Sequence, residues 1–504
     1  MRNLFRTKGV SELIHDIENN AHTLKKTLNR WDLVALGIGA VVGAGVFTVI
    51  GTSAAGMIDA SGHVLRVGAG PALVISFLLT GIASAFAAFC YAELSSLIPV
   101  SGSAYTYSYA ILGEIIAWII GWDLILEYAV AVIAVSISWS AYVVSFLKGF
   151  GIELPLWLSM DYTSFMRTLA KFPALEQTVP HIGGYAVSVN LPAIFIVAVM
   201  TTVLIIGIKE SSRVNTLMVT IKLIILGFFI VTGFFYIKPI NWHLPEYGFM
   251  PFGWNGVMTG AALIFFAYVG FDAVSTVAEE TKNPQKDLPF GILGTLFACT
   301  ILYIVVTIVL LGVVPFYELN RADPLAYAFE KINIGWASGV VAVGALIATT
   351  SVILVTLLGQ SRVFFSMSRD GLIPAAFSKI HPRFRTPYIS NIITGIFVAL
   401  IAGFINIGEA AELTNIGTLF AFMLVCASVL VLRYRDPDRP RPFKTPFVPY
   451  VPILGILSCF YLTLNLPWLT WVRFIIWFAL GLVIYMFYGY FHSTLHNRTR
   501  NFIK

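Results

Sequence analysis

The chain has 504 residues, of which 58% are hydrophobic and 12% are charged, against roughly 45–50% and about 25% in soluble globular proteins. A mean hydropathy of +0.83 over the whole length excludes a sizeable soluble catalytic domain. The composition therefore predicts a polytopic membrane protein. All four cysteines (Cys90, Cys299, Cys426 and Cys459) lie inside apolar runs, so we expect no disulfide framework.

Twelve apolar runs follow one another along the chain. They fall near 32–57, 71–98, 111–147, 191–208, 213–237, 257–279, 289–315, 336–367, 388–404, 411–432, 449–466 and 471–490. A membrane-spanning helix needs about 20 residues, and a helix satisfies its own backbone hydrogen bonds in lipid. The sequence therefore predicts an all-α polytopic membrane protein with twelve transmembrane helices.

The basic residues are distributed unevenly between the two sides that twelve spans create. If the N-terminus is cytoplasmic, inner segments carry 23 Lys and Arg and outer loops carry 8. This positive-inside asymmetry predicts a multi-pass protein of the cell inner (plasma) membrane with both termini in the cytoplasm. The net charge of +6 then reflects topology and attraction to anionic membrane lipids, with no need for a nucleic-acid partner. Residues 10–21 are compatible with either an amphipathic surface helix or a disordered tail.

Two of the runs are interrupted by glycine. The first contains Gly-Ile-Gly-Ala-Val-Val-Gly-Ala-Gly-Val-Phe at 37–47, and the sixth contains Ala-Tyr-Val-Gly-Phe-Asp at 267–272. Small residues can simply allow close helix packing. However, interrupted segments in corresponding positions of two halves indicate the central site of a transporter, and here they are five segments apart.

An interrupted helix offers unpaired backbone groups to a ligand. Amides that open the second half of the first segment, at Gly43–Gly45, would favour a carboxylate. Carbonyls near Ile38, Val41, Phe266 and Val269 would suit an ammonium group. One end for an anion and one for a cation matches the zwitterionic head of an amino acid.

At these residues the chain resembles the amino acid–polyamine–organocation superfamily, and within it the bacterial twelve-span type of the cationic amino acid transporter branch. The resemblance covers about 32–435. It rests on an ordered series of motifs: Gly-Ala-Gly-Val-Phe (43–47), Cys-Tyr-Ala-Glu-Leu (90–94), Ser-Gly-Ser-Ala-Tyr (101–105), Gly-Trp-Asp-Leu-Ile-Leu-Glu-Tyr (121–128), Tyr-Val-Gly-Phe-Asp-Ala (268–273), Glu-Glu-Thr-Lys-Asn-Pro-Gln (279–285), Ser-Arg-Asp-Gly-Leu (368–372) and Asn-Ile-Gly-Thr-Leu (415–419).

The resemblance implies a five-plus-five inverted repeat with discontinuous helices 1 and 6. This arrangement divides the chain into two repeat halves (32–237 and 257–432), a pair of peripheral spans (449–490) and two cytoplasmic tails (1–31 and 491–504). It also implies alternating access around a midplane site between helices 1, 3, 6 and 8. The substrate carboxylate would accept hydrogen bonds from the amides of Gly43, Ala44 and Gly45. The substrate amine would donate hydrogen bonds to the carbonyls of Ile38, Val41, Phe266 and Val269.

Ionisable residues inside the apolar runs are candidates for coupling, because each costs roughly 2.5–3.5 kcal/mol at the bilayer centre. Lys222 either snorkels to the cytoplasm or, as in some proton-coupled relatives, occupies the place of a sodium ion. Glu127 and Asp272 either hold a proton or a cationic side chain, or are neutral packing groups. The acids at 93, 279 and 280 are expected to build an inner gate, and 433–445 is expected to be a solvated inner loop.

Aligning Asp-Gly at 370–371 with exchanger relatives places Thr356 in the pocket. Its short side chain would leave room for lysine or arginine, and its hydroxyl could accept a hydrogen bond from a cationic end. Alternatively, Thr356 bonds the carbonyl four residues back in its own helix.

These observations predict a secondary active transporter of amino acids, proton-coupled and favouring arginine and lysine, with alanine and other neutral amino acids as further substrates. An exchanger or a broad neutral amino acid transporter is an alternative, and a channel or sensor is an alternative of another class. We expect no catalytic residue, metal or cofactor, because no His-Glu-x-x-His or nucleotide-binding motif occurs. The sequence does not identify a small membrane accessory subunit.

Overall fold

The fold was taken from a computed structural model, which describes residues 5–9, 26–58, 64–149, 151–172, 179–182, 185–206, 211–321, 323–384 and 386–495. Twelve apolar helices occur at the expected positions, and we number them α1–α12. The 10–21 segment and most of both predicted tails lie outside the described residues.

The twelve helices follow one another along the chain. Their bounds are α1 Arg30–Val41 and Gly45–Ala55, α2 Leu73–Leu97, α3 Glu114–Gly149, α4 Leu191–Ile206, α5 Ser211–Phe234, α6 Gly253–Glu280, α7 Pro284–Val313, α8 Gly335–Arg369, α9 Tyr388–Ala402, α10 Ile407–Arg435, α11 Tyr450–Leu464 and α12 Trp468–His492. We call the end of the bundle at which α1 begins the N-terminal face, and the other end the opposite face.

Short elements connect these helices. The connecting helices are Ala104–Ile111, Leu156–Ser159, Tyr162–Lys171 and Pro324–Lys331. Two small antiparallel ribbons pair Met57–Ile58 with Val64–Arg66, and His181–Ile182 with Tyr185–Ala186. Single turns of tighter helix occur at Gly70–Ala72, Pro239–Trp242, Phe316–Glu318 and Ala375–Ser378.

Among the described residues, eight helices are long and apolar enough to cross a membrane, and the bent α1 pair makes a ninth. The remaining three, α4, α9 and α11, are apolar but have only 15 or 16 residues. This confirms an all-α polytopic membrane protein, while the count of twelve spans stays a prediction.

The packing places α1 and α6 at the centre. The helix α3 packs along α8, α2 packs along α7, and α1 contacts α5, α6, α7 and α8. Pairing of α3 with α8 and of α2 with α7 joins helices that are five apart in the chain, while the five-plus-five inverted repeat itself stays a prediction. The two discontinuous helices therefore lie against each other in the interior.

Candidate functional site

The interruption of α1 occurs at the predicted glycines. Regular helix ends at Val41, Val42 is extended, and the chain bends by 41° before helix resumes at Gly45. The Val42 amide still donates to the Ile38 carbonyl (3.0 Å), whereas the amides of Gly43, Ala44 and Gly45 reach no backbone carbonyl in the part of the chain that is described. These three amides open the second half of α1, where unpaired donors and the helix dipole favour an anion.

The interruption of α6 lies opposite. A tight turn of 3₁₀ helix, Phe265–Tyr268, is followed by extended Val269 and by Gly270 with a φ of 116°. That φ requires glycine, because a Cβ would be strained there. Helix then resumes at Phe271.

Close approach of the two breaks also depends on glycine. A Cβ added to Gly45 would lie 2.4 Å from the Ala267 Cα, and one added to Gly270 would lie 3.1 Å from the Ala40 Cβ. The backbones of α1 and α6 therefore touch at their interruptions, which places the unpaired amides of α1 beside the interrupted turn of α6.

A cavity lies at this point between α1, α3, α6 and α8. Seven of the eight residues expected to bind substrate line it: Val41, Gly43, Ala44, Gly45, Phe266, Val269 and Thr356. The volume is about 20 Å³, which is room for a single water molecule. An amino acid therefore fits only if the surrounding helices move apart.

Ile38 is the predicted residue that does not line this midplane cavity. Its side chain lines a separate apolar cavity of about 280 Å³ with residues of α5 and α7. Its carbonyl already accepts from the Val42 amide. The carbonyl of Val41 is also engaged, because it accepts from the Tyr303 hydroxyl at 2.9 Å.

The rest of the cavity wall was not anticipated from the sequence. It consists of Ala40, Tyr128, Ala131, Val135, Gly270, Ala273 and Val352. Apart from the hydroxyls of Tyr128 and Thr356, the side chains that line the cavity are apolar. A spacing of three or four residues on α3 (Tyr128, Ala131, Val135) and of four on α8 (Val352, Thr356) was the sequence signal for this wall.

Thr356 keeps its hydroxyl away from its own helix. Neighbouring Thr349 and Thr350 each donate to a carbonyl four residues back, but Thr356 makes no such bond within the described chain. Its side chain lines the cavity instead. The alternative of a back-bonded Thr356 is therefore wrong.

Lys222 does not snorkel. Its side chain is fully buried, and Nζ donates to the carbonyls of Gly39 (3.0 Å) and Val42 (2.9 Å) and to Ser351 Oγ (3.0 Å). The ammonium thus joins α5 to α8 and to the interrupted turn of α1. Two carbonyls and a hydroxyl are oxygen ligands of the kind that also bind a hard cation.

Glu127 and Asp272 lie in a buried acidic cluster beside the cavity. Asp272 Oδ2 accepts from the hydroxyl of Tyr128, a cavity residue, at 2.9 Å. Asp272 Oδ1 and both Glu127 oxygens are buried without a hydrogen-bond partner in the described structure. Asp123, which was not among the predicted residues, is equally buried and has no hydrogen-bond partner among the described residues, and it lies one turn before Glu127 on α3. The i, i+4 spacing of the two acids was the available signal.

Helix α10 leaves room for this cluster. A Cβ added to Gly417 would lie 3.0 Å from Asp123 Oδ1 and 3.5 Å from Glu127 Cβ. The three carboxyl groups therefore share a space between α3, α6 and α10.

The N-terminal face is closed by ion pairs. Glu280 at the end of α6 pairs with Arg362 of α8 (2.9 Å), and Glu279 is 3.9 Å from Arg369. These contacts join the two helices on opposite sides of the midplane cavity. They lie where an inner gate was expected.

The 433–445 segment is largely exposed, as expected of a solvated loop, but three of its residues anchor it to the buried Glu93. Arg433 makes a two-pronged hydrogen bond to Glu93 (3.0 and 2.9 Å), Arg441 Nε lies 3.1 Å from the same carboxylate, and the Thr445 amide donates to it at 2.7 Å. Glu93 is completely buried, so its charge needs these donors. The segment folds back over the ends of α2 and α10.

The described residues show no group of three metal-ligating side chains, and the four cysteines are buried and free.

Comparison with known proteins agrees with this geometry. The family model "Amino acid permease" matches residues 28–491. The chain is 46% identical to the branched-chain amino acid permease of Bacillus subtilis (98% of this chain, 99% of the relative) and 45% identical to the methylthioribose transporter of the same organism (98% and 100%). It is 34% identical to the vacuolar cationic amino acid transporter 4 of Arabidopsis thaliana (99% and 97%). The chain therefore belongs to the amino acid permease family of the amino acid–polyamine–organocation superfamily and is a transporter of amino acids rather than an enzyme.

Proposed function

We propose that the protein is a proton-coupled secondary transporter that carries amino acids by alternating access around the midplane cavity. One observation carries this proposal: the free amides of Gly43, Ala44 and Gly45 and the interrupted turn of α6 border the same cavity. A zwitterion needs one anion-binding and one cation-binding end, and two facing helix breaks supply them without charged side chains.

The substrate side chain would point toward α3 and α8, where Ala131, Val135, Val352 and Thr356 line the cavity. This wall has no carboxylate to pair with a cationic side chain. Apolar surface instead favours a branched aliphatic group, through about 25 cal/mol per Å² of buried apolar area. The name of the Bacillus subtilis relative, a branched-chain amino acid permease, supports this preference.

Cationic amino acids remain the second candidate. Relatives from Arabidopsis thaliana are named cationic amino acid transporters, and the free hydroxyl of Thr356 offers one acceptor to a guanidinium or ammonium group. The acidic cluster lies behind Tyr128. A long cationic side chain would have to pass that ring to reach a carboxylate.

Coupling would reside in Lys222, with Glu127 and Asp272 as the second set of proton acceptors. A charged Lys222 ammonium holds the interrupted turn of α1 against α8 through its three hydrogen bonds. Loss of its proton removes a charged donor from both carbonyls, which releases the turn that carries the substrate amides. Proton binding and movement of α1 are thereby linked.

The setting we propose is the inner (plasma) membrane, with both termini in the cytoplasm and anionic lipids at the basic segments. The excess of Lys and Arg in the inner segments supports this orientation. The N-terminal face is then the cytoplasmic side, and the opposite face is the outer side.

Counterflow in proteoliposomes tests the proposal. Vesicles loaded with unlabelled leucine should accumulate labelled leucine, and external isoleucine or valine should compete more strongly than arginine or methylthioribose. Stronger competition by arginine would select the cationic alternative. Absence of counterflow with every amino acid would refute a carrier and would favour a channel or sensor.

A further inference from the structure

A second cavity lies at the opposite face and is much larger than the midplane cavity. Its volume is about 390 Å³, against about 20 Å³ at the midplane, and sites for small molecules occupy about 300–1,000 Å³. We propose that this opposite-face cavity is an amino-acid site of its own, which binds the zwitterionic head against the Arg66–Glu412 ion pair before the substrate reaches the midplane. The inference rests on the proposed function.

The cavity wall carries one charge of each sign, in contact with each other. Arg66 Nη1 lies 3.5 Å from Glu412 Oε1, and the two side chains are 17% and 16% exposed. Charge-assisted hydrogen bonds are shorter, at about 2.7–2.9 Å. The two groups therefore neutralise each other through a loose ion pair on the cavity wall.

A zwitterion satisfies both groups at once. Its carboxylate matches the two-pronged geometry of the Arg66 guanidinium, and its ammonium takes Glu412 as the counter-charge. Thr470 Oγ1 donates to Glu412 Oε2 (3.1 Å), which holds the carboxylate in place on the far side. Because both wall groups are largely withdrawn from water, each needs an opposite charge, and without a ligand they supply it to each other.

A second acid lines this cavity. Glu409 lies three residues before Glu412 on α10 and pairs with Arg473 at 3.1 Å. Each acid is therefore balanced by an arginine. The opposite-face cavity presents charged groups, whereas the wall of the midplane cavity is almost entirely apolar, so the opposite-face cavity should accept arginine as well as leucine.

The two cavities adjoin along α6. Ala262 and Leu263 line the opposite-face cavity, and Phe266 lines the midplane cavity. Three residues of helix rise by about 4.5 Å. Asn415 Nδ2 of α10 donates to the carbonyls of Ala262 (2.8 Å) and Leu263 (3.3 Å), which fixes this turn. The walls of the two cavities on α6 are therefore about one helical turn apart.

The stoichiometry of equilibrium binding tests the proposal. Purified full-length protein is titrated with tritiated leucine and, in parallel, tritiated arginine. Wild type should bind two molecules per chain. Gly43→Leu fills the midplane cavity and should bind one, and adding Glu412→Gln should weaken that remaining site about tenfold or more, because it removes the counter-charge. Glu318→Gln, a surface acid paired with Lys331 and not part of either cavity wall, is the matched control and should keep both sites.

Each other outcome decides against the proposal. One bound molecule per wild-type chain and none in Gly43→Leu would mean that the Arg66–Glu412 pair only holds the α1–α2 connection against α10. The proposed function would then stand without a second site. No binding to wild type would overturn both the second site and the proposed function. Melting curves show whether each variant is folded. If Gly43→Leu is misfolded, Ala131→Phe takes its place, and if Glu412→Gln is misfolded, Arg66→Gln takes its place.

Discussion

Replacing Lys222 with methionine should separate stability from coupling. Methionine keeps the length of the side chain and removes the ammonium, so Gly39 O, Val42 O and Ser351 Oγ lose a shared donor. Hydrogen bonds to a charged group contribute roughly 1.5–3 kcal/mol each, which gives about 4.5–9 kcal/mol for three. Burial of the ion costs several kcal/mol in the opposite direction.

The two contributions nearly cancel, so the free energy of unfolding of Lys222→Met should lie within about 3 kcal/mol of wild type. Transport should change far more. In proteoliposomes with an inward proton gradient, the variant should lose gradient-driven accumulation of labelled leucine while retaining leucine binding. Lys331→Met, a surface lysine paired with Glu318, is the control and should accumulate leucine normally. Wild-type accumulation by Lys222→Met would refute the coupling role and leave Lys222 as a packing group.

Three further variants probe the site. Thr356→Phe should weaken arginine and leucine by about 1–3 kcal/mol relative to alanine in competition assays, and an equal loss for all three would remove Thr356 from the pocket. Gly45→Ala should lower both the melting temperature and the affinity for leucine, because its Cβ would lie 2.4 Å from the Ala267 backbone. An unchanged melting temperature would contradict the close crossing of α1 and α6. Glu280→Gln should raise amide hydrogen exchange at the inner ends of α6 and α8, and the double variant Glu280→Arg/Arg362→Glu should restore protection. Unchanged exchange in Glu280→Gln would mean that this ion pair is not a gate.

The breaks were predictable because their cause is local. Glycine at 43, 45 and 270 allows conformations and close contacts that other residues resist, and the segments carrying them are five apart. Six of the seven predicted residues that line the cavity follow from those positions, and the seventh, Thr356, was placed by the resemblance to exchanger relatives. Ile38 differs because it lies within the regular first half of α1, before the interruption, where its side chain packs toward α5 and α7.

Features that depend on distant contacts could not be read from the chain. Arg433 and Glu93 are 340 residues apart, and no local sequence feature at either residue indicates that they pair. The same holds for Ser351 as a partner of Lys222. Asp123 could have been recognised from its spacing to Glu127, but only packing against Gly417 shows that both acids share one space.

The central claim is that an amino acid binds between the interruptions of α1 and α6. An experimental structure of the protein with bound leucine tests this most directly. The account predicts the leucine carboxylate within hydrogen-bond distance of the amides of Gly43, Ala44 and Gly45, in a midplane cavity that has expanded well beyond about 20 Å³. A bound leucine that makes no contact with these amides, with the cavity unchanged, would contradict the account.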